Sequence, residues 1–134
     1  MDNLSKEQRH LCMSRIRSKD TKPEIIVRKI LRRLKQKFKT HINKLPGKPD
    51  ILIPKKRLVI FINGCFWHQH KGCKRKVMPK VNLRYWKNKL KNNILRQKSA
   101  IIALKKDKLK VAVIWECEAK NNTKLTRKIK KVIS

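Results

Sequence analysis

Acidic residues are scarce in this 134-residue chain, with 8 Asp and Glu against 39 Lys and Arg and a formal net charge of +31. That excess is far beyond what solubility requires, and it points to a polyanionic partner, nucleic acid foremost. A lysine-rich proteome accounts for part of the lysine but not for the rarity of acids. Glycine (3) and proline (5) are too few and too scattered for a flexible linker. The chain is therefore expected to form one domain over residues 1–134, with one modest core. No run approaches the roughly 20 apolar residues that a membrane span needs, and the opening MDNLSKEQRH has no apolar stretch for export. The expectation is a cytoplasmic protein that engages no membrane.

What is present is periodic. Ser5-Lys6-Glu7-Gln8 fits a capping box and opens a basic helix, about residues 5–18, carrying Leu11, Met13 and Ile16. Thr21-Lys22-Pro23-Glu24 opens a second helix, predicted to run to about Phe38 because Ile26, Ile30, Leu34 and Phe38 recur every four residues. LPGKP at 45–49 breaks regularity, after a short strand near 39–43. Ile51–Ile53 and Leu58–Ile62 are β-prone runs joined by Pro54-Lys55-Lys56-Arg57, which predicts a hairpin of buried strands. Leu83, Trp86, Leu90, Ile94, Ile101 and Leu104 mark a long amphipathic helix, and Val111–Trp115 a third buried strand. Thr123 is placed to cap a final helix with Leu125, Ile129 and Val132 on one face. The order is that of an α/β layered domain.

Chemistry concentrates in GCFWHQHKGC, residues 64–73. Four cysteines could form two disulfides in a secreted chain, but in a reducing compartment Cys beside His reads as metal binding. Cys65-x4-His70-x2-Cys73 brings three soft or borderline donors together, and Cys117 lies just past a buried strand that can return to the same edge. Thiolates with imidazole suit tetrahedral zinc, and four protein donors close the site into a structural one. His68 competes with His70 for the imidazole position, and spacing leaves both open. Cys12 lies far away on a helix and reads as a core residue.

LPGKPD (45–50), IFINGCFWH (60–68), His70 and Cys73, NLRYWKNKLKNN (82–93) and VIWEC (113–117) together resemble the very-short-patch-repair (Vsr) mismatch endonucleases, over roughly residues 9–120. The resemblance implies a restriction-endonuclease-like mixed sheet flanked by helices, a structural zinc, and magnesium-dependent nicking of DNA 5′ of the thymine in a T:G mismatch. It implies Asp50 as the magnesium-binding carboxylate, assisted by the Ile62 backbone carbonyl; a hard cation wants oxygen donors, although an Asp after Pro is otherwise usually a turn residue. It implies His68 as the base that takes a proton from the attacking water, a role suited to imidazole. His70 then joins Cys65, Cys73 and Cys117 on zinc. Glu24 matches an acid near the active site, yet at the third helical position it serves equally as a cap.

Phe66, Trp67 and Trp86 match aromatics that wedge into the mismatch from the major groove, with Lys89 beside them on the DNA. Met13 and Ile16 match an N-terminal helix inserted from the minor groove. Unstacking a base step costs least at a mismatch, which is how a wedge selects. Trp86 also lies on the apolar stripe of its helix, where plain core packing explains it. Asn63 stands where a second active-site histidine is usual, and an amide does no acid or base chemistry near neutral pH. Gln97 stands where an acid is common. The expected partner is double-stranded DNA with a T:G mismatch, bound by a monomer with a functional link to a cytosine-5 DNA methyltransferase and to mismatch-repair proteins. The competing readings are a restriction-like nuclease without mismatch preference and a non-catalytic zinc-stabilised nucleic-acid-binding protein. Asp50 with His68 speaks against the second, because a binder needs no hard-metal carboxylate beside a free imidazole.

Overall fold

The computed structural model describes residues 21–73 and 79–134. The expected helix at 5–18, with Cys12, Met13 and Ile16, lies outside the described residues. Helix α1 spans Lys22–Arg33, with Thr21 as its N-cap and Pro at its start; a proline fits there because the first-turn N–H groups have no helical acceptor. The Thr21 side chain makes no capping bond. The helix stops at Arg33, short of the expected Phe38. Lys35 swings to φ 59°, and the Lys35 and Gln36 N–H groups turn back onto the Arg32 and Leu31 carbonyls, each at 3.0 Å. This is a Schellman closure built without glycine. Leu34 and Phe38 still pack on the core, from the turn and the segment after it.

Strands β1 (Lys39–Thr40), β2 (Ile51–Ile53), β3 (Leu58–Asn63) and β4 (Lys110–Trp115) form one sheet in the order β1-β2-β3-β4. The first two pairings are antiparallel and the β3–β4 pairing is parallel. The β2–β3 turn is a 3-10 turn at Pro54–Lys56, closed by Arg57 in the left-handed region. A parallel neighbour requires a long crossover, and helix α2, Leu83–Lys106, supplies it. Helix α3, Asn122–Ile133, closes the described chain. Its N-cap is Asn121, whose side chain accepts from the Lys124 N–H, so the expected cap, Thr123, falls inside the helix. Its buried stripe is Leu125, Ile129 and Ile133, with Val132 only partly buried.

The strand period of two sorts the core into layers. Ile51 and Ile53, Leu58 and Ile60, and Ala112 and Ile114 face α1 and α3, meeting Val27, Ile30, Leu31, Leu125 and Ile129. Val59 and Phe61 face the other way, onto Leu104 of α2. Each of the Val, Leu, Ile and Phe side chains among these contributes about 1.5–3 kcal/mol by leaving water. The result is the mixed sheet flanked by helices that the resemblance implied. Gly47 brings the loop before β2 against α2: its φ is +73°, and an added Cβ would lie 2.6 Å from that of Ala100. The loop is thereby fixed three residues before Asp50.

Candidate active site and metal centre

The loop that carries Cys65, His68, His70 and Cys73 begins where β3 and β4 end side by side, Asn63 in register with Trp115. Asp50 reaches this end from the start of β2. Its backbone N–H donates to Ile60 O at 3.1 Å, and its Oδ2 accepts the Ile62 N–H at 2.7 Å. The half-buried carboxylate is thereby held beside Ile62, the residue expected to lend a backbone carbonyl.

Beyond Asn63 the chain coils through tight turns. The His68 N–H donates to Gly64 O at 3.2 Å and the His70 N–H to Cys65 O at 3.0 Å. This coiling points His70 inward, with its Nδ1 3.7 Å from Cys65 Sγ and 3.4 Å from Cys117 Sγ. One donor atom from each of Cys65, His70, Cys73 and Cys117 lies within 4.8 Å of the others, and His68 stands outside the group. A tetrahedral zinc with ordinary bond lengths would hold such donors about 3.4–3.8 Å apart. The residues present therefore fit a metal ion of that kind. Burial pushes the Cys65 thiol from its ordinary 9.0 up to about 12; a hydrogen bond from the Cys117 backbone pulls the other way, and the Cys117 and Cys73 thiols add to the rise. Burial raises Cys117 as well. Both shifts favour the protonated thiols of Cys65 and Cys117.

The segment after β4 braces the cluster in ways the sequence reading missed. Glu116 Oε1 accepts the Cys65 N–H at 3.0 Å. Glu118 Oε1 accepts the Trp115 N–H at 2.9 Å, while Lys128 Nζ from α3 donates to both Glu118 oxygens at 2.8 and 2.9 Å and to Val113 O at 2.9 Å. The Trp115 ring lies flat on His70, centroids 4.0 Å and planes 7° apart. The signal was the two acids flanking Cys117 in a chain with so few of them.

Among the other expected site residues, Glu24 is buried and its carboxylate accepts from Arg28 at 3.1 Å, an i,i+4 ion pair. Asn63 is 3 % exposed, and its amide exchanges two hydrogen bonds with Gln97, at 2.7 and 2.8 Å. Phe66, Trp67 and Trp86 do come together, with centroids 5.3 to 6.0 Å apart and tilted or edge-on rings. Trp67 and Trp86 are buried around Leu90, and Phe66 is half-buried. Lys89 is half-buried on α2, one turn beyond Trp86.

A mixed sheet flanked by helices, with a thiol–imidazole cluster that could hold a metal ion and a carboxylate set at the strand ends, defines an α/β protein organised around metal donors. The sequence pattern of the family described as DNA mismatch endonuclease Vsr matches residues 1–75. The chain is 40% identical over 132 residues to the type II nicking enzyme V.XorIIP of Xanthomonas oryzae pv. oryzae, covering 98% of this chain and 96% of that one. It is 36% identical to the type II nicking enzyme V.NmeAIP of Neisseria meningitidis, over 98% and 94% of the two chains. Its identity to the DNA mismatch endonuclease Vsr of Escherichia coli is 32%, over 93% and 80%. The chain belongs to the Vsr family.

Proposed function

We propose that this protein nicks duplex DNA 5′ of the thymine in T:G mismatches by magnesium-dependent hydrolysis of the phosphodiester. The observation that carries this reading is the Asp50 carboxylate clamped on the Ile62 N–H at 2.7 Å, at the strand end from which the loop bearing His68 departs. Asp50 and the Ile62 carbonyl are the residues that would hold magnesium. A divalent cation held by these groups would stabilise the negative charge that develops on the phosphoryl oxygens and the leaving oxygen. His68 accepts a proton from the attacking water, and Glu24 supports the site from the start of α1. Asn63 serves by its hydrogen bonds alone.

Cys65, His70, Cys73 and Cys117 hold a structural zinc. The closed donor set leaves no position for a substrate, which separates this site from the chemistry. Phe66, Trp67 and Trp86 form the wedge, Met13 and Ile16 approach from the opposite groove, and Lys89 contacts the DNA. The +31 charge supplies most of the affinity by counterion release, so binding weakens steeply with salt while mismatch preference survives better. T:G mismatches arise when 5-methylcytosine deaminates, which places the protein downstream of a cytosine-5 DNA methyltransferase and alongside mismatch repair. It acts as a monomer. The test is a nicking assay on T:G and T:A duplexes, with and without magnesium. Equal rates on both duplexes would remove the mismatch reading, and cleavage in excess chelator the role given to Asp50.

A further inference from the structure

Trp115 touches both histidines of the loop. One face of its indole is stacked on His70, with centroids 4.0 Å apart, and the same ring meets the His68 imidazole at 6.3 Å with planes 74° apart. The edge-on contact at 6.3 Å lies within the usual spacing of about 4.5–7 Å between paired rings, and the stacked contact at 4.0 Å is closer still. The two histidines have separate tasks, since His70 lies within the metal-donor group and His68 outside it. We propose that Trp115 is a positioning residue that transmits occupancy of the four-donor metal group to the orientation of His68.

The backbone around Trp115 is pinned. Its N–H is held by Glu118, which Lys128 fixes in turn, and its strand is in register with β3. The indole is left as the part that answers to its neighbours. With the donor group loaded, the His70 ring would be held in one plane, the indole stacked on it would follow that plane, and the His68 imidazole packed across the indole would be biased in turn. Partners that orient metal ligands or reacting groups are typically worth about 10–100-fold in affinity or activity. A competing route runs through the loop backbone, because His68 and His70 are two residues apart. Removing the ring while keeping the chain separates the two routes.

This inference rests on the proposed reading of His68 as the base, and the experiment keeps the two apart. The full-length protein, with zinc in excess so that loading is complete, is compared with its Trp115→Leu and Trp115→Phe variants in single-turnover nicking of a T:G duplex. Leu should slow nicking by about 10–100-fold, with duplex affinity within about twofold, and Phe, which keeps a flat ring, should recover most of the rate. In parallel, the histidine ring signals are followed by NMR in zinc-loaded and chelator-stripped protein. Stripping the parent should shift His68 and Trp115 ring signals along with those of His70, and in Trp115→Leu the His68 shift should vanish while the His70 shift remains. A His68 shift that persists in Trp115→Leu, or a Trp115→Leu rate equal to the parent's, overturns the proposal. Unmoved Trp115 signals in the stripped parent overturn it without any variant. If His68→Ala nicks at the parental rate, the base assignment fails instead, and the NMR comparison still decides whether Trp115 couples the two rings.

Discussion

The amides of Asn63 and Gln97 bind each other twice, Nδ2 to Oε1 at 2.7 Å and Nε2 to Oδ1 at 2.8 Å. One side chain ends the central strand β3 and the other sits midway along α2, the helix that also carries Trp86 and Lys89. The pair ties the strand end that carries the proposed chemistry to the helix that carries part of the proposed wedge. Neither group titrates, so the tie has the same strength at every physiological pH.

Truncating one member should therefore cost stability. Gln97→Ala leaves the Asn63 amide, 3 % exposed, without either bond, and an unsatisfied buried polar group costs about 1–3 kcal/mol. Gln97→Glu keeps an acceptor for the Asn63 N–H and should lose less. Urea denaturation of the three proteins measures the order, and a Gln97→Ala variant as stable as the parent would mean that water replaces the pair without loss.

Much of this architecture was legible in the sequence, because β2 and β3 are buried along most of their length and β4 alternates half-buried with buried positions after Lys110. The β2–β3 hairpin, the long helix and the last strand follow from apolar runs with one face or both buried. The errors fall at helix ends. The four-residue periodicity carries α1 on to Phe38 because no glycine marks Lys35, whose φ of 59° closes the helix at a cost of about 1–2 kcal/mol for an L-residue. Asn121 and Thr123 are both good caps on residue type, and only the observed bond to Lys124 distinguishes them. At the site, residue type marks Cys65, Cys73 and Cys117 as candidate metal donors, but spacing leaves His68 and His70 open, and it is the coiling of the loop that brings His70 into the group. The Asn63–Gln97 pair and the bracing by Trp115, Glu116 and Glu118 depend on which residues the β3–β4 register places side by side, and local pattern does not encode that.

Asp50 has a structural duty as well as a proposed chemical one, and two substitutions separate them. Asn at position 50 still offers an oxygen to the Ile62 N–H, so Asp50→Asn should fold with nearly parental stability and bind mismatched duplex while losing magnesium-dependent nicking. Asp50→Ala also removes the acceptor and should lose a further 1–3 kcal/mol or so of stability. Parallel denaturation and nicking assays check both. Robust nicking by Asp50→Asn would show that the negative charge is not what the reaction uses.

Metal uptake should be linked to protons. Cys65 sits near 12 and Cys117 is also raised, so at neutral pH the metal-free thiols are protonated and each must lose its proton to become a ligand. With these two protons displaced on binding, apparent affinity should fall as pH is lowered, by about a hundredfold per unit. The sign for the metal-free fold is the opposite. A thiol pKa raised by folding contributes stability below about pH 9 that is lost as pH climbs toward 12. Competition with a chromophoric chelator between pH 6 and 8, and metal-free denaturation on the alkaline side, test the two directions. An affinity independent of pH would mean that the thiols do not bind the metal.

The wedge has to be tested with its burial in mind. Trp67 and Trp86 are each 6 % exposed, so replacing either with alanine removes a packed aromatic and should cost about 3–5 kcal/mol, enough to mask any effect on recognition. Phe66 meets both at 5.3 and 5.8 Å but is itself only half-buried, so Phe66→Ala should cost less. If these rings enter the base stack, Phe66→Ala should bring the T:G and T:A nicking rates closer together, mainly by slowing the T:G rate, with the folded fraction unchanged. Trp67→Leu should do the same at a larger loss of stability, measurable at reduced temperature. Each ring that stacks on a base is worth about 1–3 kcal/mol, so discrimination should shrink by roughly 5- to 150-fold. Unchanged discrimination in Phe66→Ala and Trp67→Leu together would assign the aromatic cluster to the core and place mismatch recognition elsewhere on the chain.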